Sequence, residues 1–156
     1  MKTLLSTLFV AAAAASLAFA GDNPDFSGSW KMDADKSDFG AMPPPTSMTR
    51  KIDHKDPALS VDEARSGANG DMTMTFKYST DGKETTNSLM GNDVKSTAAW
   101  DGKTLVITTN ANFGGTDIKL IDKWSLSDDG KMLTDKMNIT GTPQGDLQMT
   151  FVLVKQ

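Results

Sequence analysis

Two side chains that could hold a polar ligand alternate with apolar residues in the segment 47–55. Arg50 and His54 share a face with Met48 and Ile52, because successive side chains of a β-strand point to opposite sides of a sheet. The apolar pair marks this face as the inner one, so Arg50 and His54 are predicted to point into the interior. A guanidinium group there is a candidate anchor for the polar end of a bound molecule.

An acidic residue follows the same pattern in the segment 116–126, where Asp122 lies between Leu120 and Trp124 on one face. A buried charge without a partner is costly. Two interpretations stay open. Arg50 and Asp122 form an internal ion pair that only fixes the fold, or they meet the polar group of a ligand.

Aromatic and small side chains complete the predicted inner surface. Tyr78 continues an alternation that includes Phe76, and Trp100 shares a face with Ser96 and Ala98. Because Ser96 and Ala98 are too small to fill an interior, they predict internal space. The candidate ligand-binding residues are Arg50, His54, Tyr78, Trp100, Asp122 and Trp124.

The sequence offers no constellation for catalysis or metal binding. His54 is the single histidine, and no positioned nucleophile accompanies it. The chain has no cysteine, which excludes thiol catalysis and cysteine-ligated metals. Residues 33–44 begin like a calcium loop, but Asp38 stands where glycine is needed and Pro44 where glutamate is needed. We therefore expect no enzyme activity, no metal and no cofactor.

Evenly spaced turn residues divide most of the chain into strands. Asp-Gly, Asn-Gly and Gly-Gly pairs recur, and between them apolar and polar residues alternate with period two. We predict ten strands, at 27–33, 47–55, 58–66, 71–79, 83–90, 93–100, 103–111, 116–126, 131–140 and 146–155. A long antiparallel meander tends to close, because closure removes exposed edges. The predicted fold class is all-β, an up-and-down meander closed into an 8–10-stranded β-barrel, and a two-sheet sandwich is the alternative.

The N-terminus predicts a secretory signal peptide over residues 1–20. Lys2 precedes an apolar run that ends in the small-x-small site Ala18, Phe19 and Ala20. Residues 21–156 then form one domain, without a cysteine that could carry a lipid anchor. A secreted domain without disulfides favours a bacterial periplasmic or secreted protein. The net charge of −4 disfavours nucleic acid as a partner.

The first predicted strand carries a motif, Phe26-Ser-Gly28-Ser-Trp30, that resembles the Gly-x-Trp strand of the lipocalin and fatty-acid-binding-protein superfamily, the calycins. The chain also resembles a set of small secreted bacterial proteins described as lipocalin-like, through DGKE, WDGKTLV and WSLSDDGKMLT. The resemblance implies that Trp30 plugs one end of the barrel and that Lys155 covers it. Fatty-acid-binding proteins hold a carboxylate with Arg-x-Tyr on the last strand. Residues 148–152 contain neither residue, so an anionic group would have to use Arg50.

Two functions follow from this reading. The first is a carrier that binds a small, mostly apolar molecule in the cell envelope. The alternative is a protein-interaction or inhibitor module with a filled core, in which the long connection 33–47 contacts a protein partner. The presence of an internal cavity separates the two.

Overall fold

Alternating apolar and polar residues build the strands of this protein. The computed structural model describes residues 23–68 and 70–156, so the predicted signal peptide, residues 1–20, lies outside the described part. In one strand, Leu59, Val61 and Glu63 are buried while Asp62 and Ala64 are exposed, as period two requires. The described residues form ten strands, β1 (Gly28–Met32), β2 (Ser47–Lys55), β3 (Ala58–Gly67), β4 (Gly70–Ser79), β5 (Thr85–Leu89), β6 (Asn92–Asp101), β7 (Thr104–Phe113), β8 (Thr116–Leu126), β9 (Met132–Thr140) and β10 (Leu147–Lys155).

The ten strands form one antiparallel sheet with the order β4-β3-β2-β1-β10-β9-β8-β7-β6-β5. The first and last strands pair, with Trp30 opposite Lys155 and Met32 opposite Leu153. The sheet curls into a nearly closed barrel, which confirms the predicted fold class and fixes the strand number at ten. A single sheet excludes the alternative two-sheet sandwich.

The two edge strands of the sheet, β4 and β5, meet through a side chain. In the described part of the chain they share no backbone ladder. Instead, the buried side chain of Asn87 on β5 accepts a hydrogen bond from the backbone N–H of Lys77 at 2.7 Å. It also donates one to the backbone carbonyl of Lys77 at 3.0 Å. The Asn87 amide thus forms the two hydrogen bonds that a neighbouring peptide group would form, and it links the two edge strands at Lys77.

One end of the barrel is packed and the other is open. At the packed end, Phe26, Trp30, Leu105 and Leu133 are fully buried. At the open end, residues 33–46 connect β1 to β2. No helix within residues 23–68 and 70–156 is long and apolar enough to cross a membrane.

Candidate functional site: a cavity with a charged inner wall

The open half of the barrel encloses a cavity of about 500 Å³. Strand β4 supplies much of one wall, because Met72, Met74, Phe76 and Tyr78 alternate toward the interior. Most of the remaining lining is also apolar, from Val61, Ile107, Phe113, Ile118, Leu120, Trp124, Met137, Ile139, Leu147, Met149 and Phe151. A cavity of this size and character is typical of sites for small, mostly apolar molecules.

The connection between β1 and β2 forms one side of the cavity mouth. Asp38 and Thr150 of β10 exchange two backbone hydrogen bonds, at 2.8 and 2.6 Å. Gly40, with φ of +56°, then passes so close to β10 that a Cβ would lie 2.5 Å from the carbonyl oxygen of Gln148. Only glycine fits there. Residues 43–45, three prolines, continue along the mouth and line it.

Methionine is the recurring residue of the mouth and walls. Met42, Met72 and Met90 lie at the rim, where they are 44%, 37% and 70% exposed, and all three also line the cavity. An exposed apolar rim that continues into an apolar cavity gives a ligand of the same character a route inward. Methionine side chains are flexible, so this lining can adapt to the shape of an occupant.

A buried ion-pair cluster lies on the inner wall. The Arg50 Nε–H donates to Glu63 Oε2 at 2.6 Å, and the Nη2–H group donates to Asp135 Oδ2 at 2.8 Å. All three side chains are at most 3% exposed. Arg65 adds a second guanidinium, which donates to Glu63 Oε1 and lies 5.2 Å from the ring centroid of Phe151.

The charges in this cluster shift one another's pKa values in opposite directions. Burial disfavours the charge of Arg50, but Glu63 and Asp135 outweigh burial and raise the Arg50 pKa. Burial also works against the Glu63 carboxylate, yet Arg50 and Arg65 lower its pKa below the usual range. Arg50 is therefore held as a cation and Glu63 as an anion.

Two further carboxyls of the wall behave differently. Burial and the nearby Asp135 hold the pKa of Asp122 well above its usual value. Burial also raises the pKa of Asp135, against the opposing effect of Arg50. Burial and the adjacent Asp122 charge raise the pKa of Tyr78. The pair of Asp122 and Asp135 thus retains a proton that an exposed pair would lose.

Asp122→Asn should flatten the pH dependence of stability above about pH 5. The folded-state pKa of Asp122 exceeds its unfolded value, so the folded protein binds the extra proton between these two pKa values. Stability therefore falls as pH rises through this window, by up to about 1.4 kcal/mol per pH unit for one proton. Asparagine has the shape of the protonated acid and does not titrate.

Urea unfolding of both proteins between about pH 5 and pH 9 measures this slope. Glu63 has the opposite effect on the slope of stability with pH, because its pKa is lowered. Its contribution to stability changes only below this pH range. Asp93→Asn, at an exposed position of β6, serves as the matched control and should keep the wild-type slope. A wild-type slope in Asp122→Asn would contradict the assignment of the proton to Asp122.

Four buried polar atoms of this wall have no hydrogen-bond partner among the described residues. They are Arg50 Nη1, Trp124 Nε1, Asp122 Oδ1 and Asp135 Oδ1. Arg50, Asp122 and Trp124 all line the cavity, and the Arg50 guanidinium carbon lies 5.0 Å from the Trp124 ring centroid. Within the described residues, no group of three or more histidine, aspartate or glutamate side chains is arranged to hold a metal ion.

The structure separates the six candidate ligand-binding residues into two groups. Arg50, Tyr78, Asp122 and Trp124 line the cavity. His54 and Trp100 lie at the packed end and are not part of the cavity lining. The His54 Nδ1 accepts a hydrogen bond from the Phe26 N–H at 3.3 Å, and its Nε2 is 2.8 Å from Asp56 Oδ1.

Trp30 lies at the packed end and is fully buried. Its Nε1–H donates to the carbonyl of Phe26 at 2.8 Å, and Lys155 Nζ lies 5.3 Å from the indole centroid. Phe26 shares this position: its ring stacks on Trp100 with centroids 5.8 Å apart and meets Trp124 edge-on at 5.7 Å. The segment before β1 thus contributes a buried aromatic residue to the closure.

Of the two open interpretations, the direct ion pair of Arg50 with Asp122 is not observed. The partners of Arg50 are instead Glu63 and Asp135, two residues outside the six sequence-predicted candidates. Alternation could have identified both, because Glu63 follows Leu59 and Val61 on one face, and Asp135 follows Leu133. The small residues Ser96 and Ala98 are buried outside the cavity lining, so the space lies elsewhere than they predicted.

The described structure resembles several solved barrels. A secretory abundant heat soluble protein from Ramazzottius varieornatus aligns with a TM-score of 0.62 and 15% identity, over 83% of this chain and 94% of that one. The zebrafish ileal bile acid-binding protein, complexed with cholic acid, aligns with a TM-score of 0.59 and 16% identity, over 84% and 98%. A mutant of the fluorescent protein UnaG aligns with a TM-score of 0.55 and 19% identity, over 84% and 96%.

These structures share one architecture with this chain. The fold is that of a calycin barrel. Identities this low show the shared fold alone. The sequence itself matches no protein-family model and no curated protein, so a function for this barrel has to be inferred from its own cavity.

Proposed function

We propose that this calycin barrel is an exported binding protein that holds a small, mostly apolar molecule in the cell envelope. The observation that carries this proposal is the cavity of about 500 Å³, which apolar side chains line and which opens at a methionine rim. Such a cavity removes a ligand's apolar surface from water, and that transfer contributes roughly 25 cal/mol per Å². The zebrafish protein, whose structure contains cholic acid, supports the proposal as a barrel of the same fold with a small-molecule ligand.

The cavity counts against the alternative, a protein-interaction module with a filled core. A filled barrel would place large side chains where Met74, Leu120 and Met137 instead border open space. Binding rather than catalysis is also the simpler role for this wall. The two guanidinium groups of the wall are paired with Glu63 and Asp135. His54 forms its hydrogen bonds at the packed end, away from the cavity.

Export to the periplasm or beyond belongs to the same proposal. It rests on the predicted signal peptide over residues 1–20, which lies outside the described residues. Native mass spectrometry of the protein purified from its own cells, with N-terminal sequencing, tests both parts. A chain that begins near Gly21 and carries a small-molecule mass would support them, and a full-length bare chain would count against both.

Leu120→Trp should weaken binding of the uncharged fluorophore N-phenyl-1-naphthylamine by about tenfold or more. Leu120 lines the cavity from β8, and indole is larger than isobutyl, so the substitution fills space that the probe would use. Ile121→Trp is the matched control, because Ile121 lies next in the strand on the opposite face. Fluorescence titration of the three proteins measures the effect.

The proposal expects the probe to bind the wild type and Ile121→Trp with similar dissociation constants. Circular dichroism melting confirms that Leu120→Trp remains folded before the titration is interpreted. Absence of probe binding to the wild type, or equal loss in both variants, would contradict a cavity site.

A further inference from the structure

We propose that the polar end of the ligand is an uncharged hydrogen-bond acceptor, such as a hydroxyl, ketone or ester oxygen, held by Arg50 Nη1 and Trp124 Nε1. Carboxylates are selected against. This inference rests on the proposed function and specifies the ligand class of the same cavity.

The charges of the inner wall are already balanced. Each guanidinium group, of Arg50 and of Arg65, faces Glu63, and Arg50 also bonds Asp135. With Asp122, this part of the wall holds three carboxyl groups against two guanidinium groups. The wall therefore carries an excess of acid groups, which a proton on the aspartate pair neutralises. A ligand carboxylate would bring one more negative charge beside Glu63 and Asp135, which are 3% and 0% exposed, and each guanidinium group that it could meet is already paired with a carboxylate.

The groups of the wall that can still form hydrogen bonds with a ligand are mainly donors. Burial and the neighbouring carboxyl raise the pKa of Asp122, and burial raises that of Asp135, so a retained proton gives this pair a donor of its own. Arg50 Nη1 and Trp124 Nε1 carry N–H groups without partners among residues 23–68 and 70–156. Their side chains are close, since the guanidinium carbon is 5.0 Å from the Trp124 ring centroid. A neutral acceptor oxygen placed beside them would give these donors the partner that buried N–H groups otherwise lack.

The test compares ligands of one chain length that differ only at the polar end. Dodecan-1-ol, 2-dodecanone, dodecanoate and dodecylamine displace N-phenyl-1-naphthylamine from the wild-type protein at pH 8, where the acid is ionised. We expect the alcohol and the ketone to bind at least about tenfold more tightly than dodecanoate. Glu63→Gln provides the second measurement. The substitution removes the carboxylate that both guanidinium groups share, so the affinity for dodecanoate should rise about tenfold relative to the affinity for dodecan-1-ol.

The outcomes are distinguishable. Dodecanoate binding as tightly as the alcohol in the wild type would overturn the inference and leave the carrier function in place. Dodecylamine binding most tightly would also overturn it, because an ammonium group would then replace the proton on the aspartate pair. Failure of the fluorophore to bind the wild type would overturn the proposed function itself. If Glu63→Gln does not fold, the order of the affinities of the four ligands for the wild-type protein still tests the inference.

Discussion

Arg50→Met should lower the free energy of unfolding by about 3–5 kcal/mol, the range for removing one partner of a buried ion pair. Methionine fills much of the volume of the arginine stem, so the loss arises from charge rather than from a cavity. Without Arg50, Glu63 and Asp135 remain buried at 3% and 0% exposure, and the negative charges of the wall lose the cation that lies between them. Urea unfolding at neutral pH measures the change.

A triple variant separates the charge effect from the packing effect. Arg50→Met combined with Glu63→Gln and Asp135→Asn removes the stranded carboxylates together with the cation. Its stability should recover most of the loss, because a buried cluster is costly to break in part and far less costly to replace as a whole. Arg65→Met is the control, because Arg65 also pairs with Glu63 but is partly exposed. Equal losses in Arg65→Met and Arg50→Met would show that burial of the pair is not the cause.

Trp30→Ala should cost about 3–5 kcal/mol of unfolding free energy, as expected when a large buried aromatic side chain is removed. Trp30 is fully buried, and its loss would leave Phe26 without the indole that bonds its carbonyl. It would also leave the Lys155 ammonium without the ring that it covers.

Two smaller substitutions divide this effect into its parts. Trp30→Phe keeps an aromatic ring but removes the hydrogen bond to Phe26, so its cost should lie well below that of alanine. Lys155→Met keeps the apolar stem and removes only the charge above the ring, for a loss of about 0.5–1 kcal/mol. Thermal unfolding of the three variants ranks them. A loss in Lys155→Met that equals the loss in Trp30→Ala would contradict the assignment of Trp30 as the main plug.

Most of the architecture could be predicted from the sequence, because strand formation depends on local alternation and turn chemistry. Turn pairs such as Asp101-Gly102 and the alternation of residues 71–79 are visible without any knowledge of neighbours. Alternation also placed Arg50 on the inner face. The position of a side chain along the barrel axis cannot be predicted in this way, because strands are tilted and their register is set by partners distant in sequence. For this reason His54 and Trp100 were grouped with cavity residues although they lie at the packed end.

The partners of Arg50 were missed for a related reason. Glu63 and Asp135 follow the inward pattern of their strands, but each also has the charge expected of an outward residue. Only the pairing of β2 with β3, which sets Arg50 opposite Glu63, shows that the charge is matched. Phe26 was missed because it precedes the first strand, where no periodic pattern indicates which side chain turns inward.

The pairing of β1 with β10 has a consequence for the order of folding. Trp30 lies on β1, and its strand partner Lys155 lies on β10, more than a hundred residues later. The hairpins between consecutive strands can form as soon as each is synthesised, but β1 keeps one unpaired edge until the final strand exists. Contacts this distant in sequence slow folding, and an unpaired edge invites association with other chains. Pairing of β1 with β10 therefore closes the barrel only after β10 has been synthesised, and until then this edge of β1 is exposed to such association.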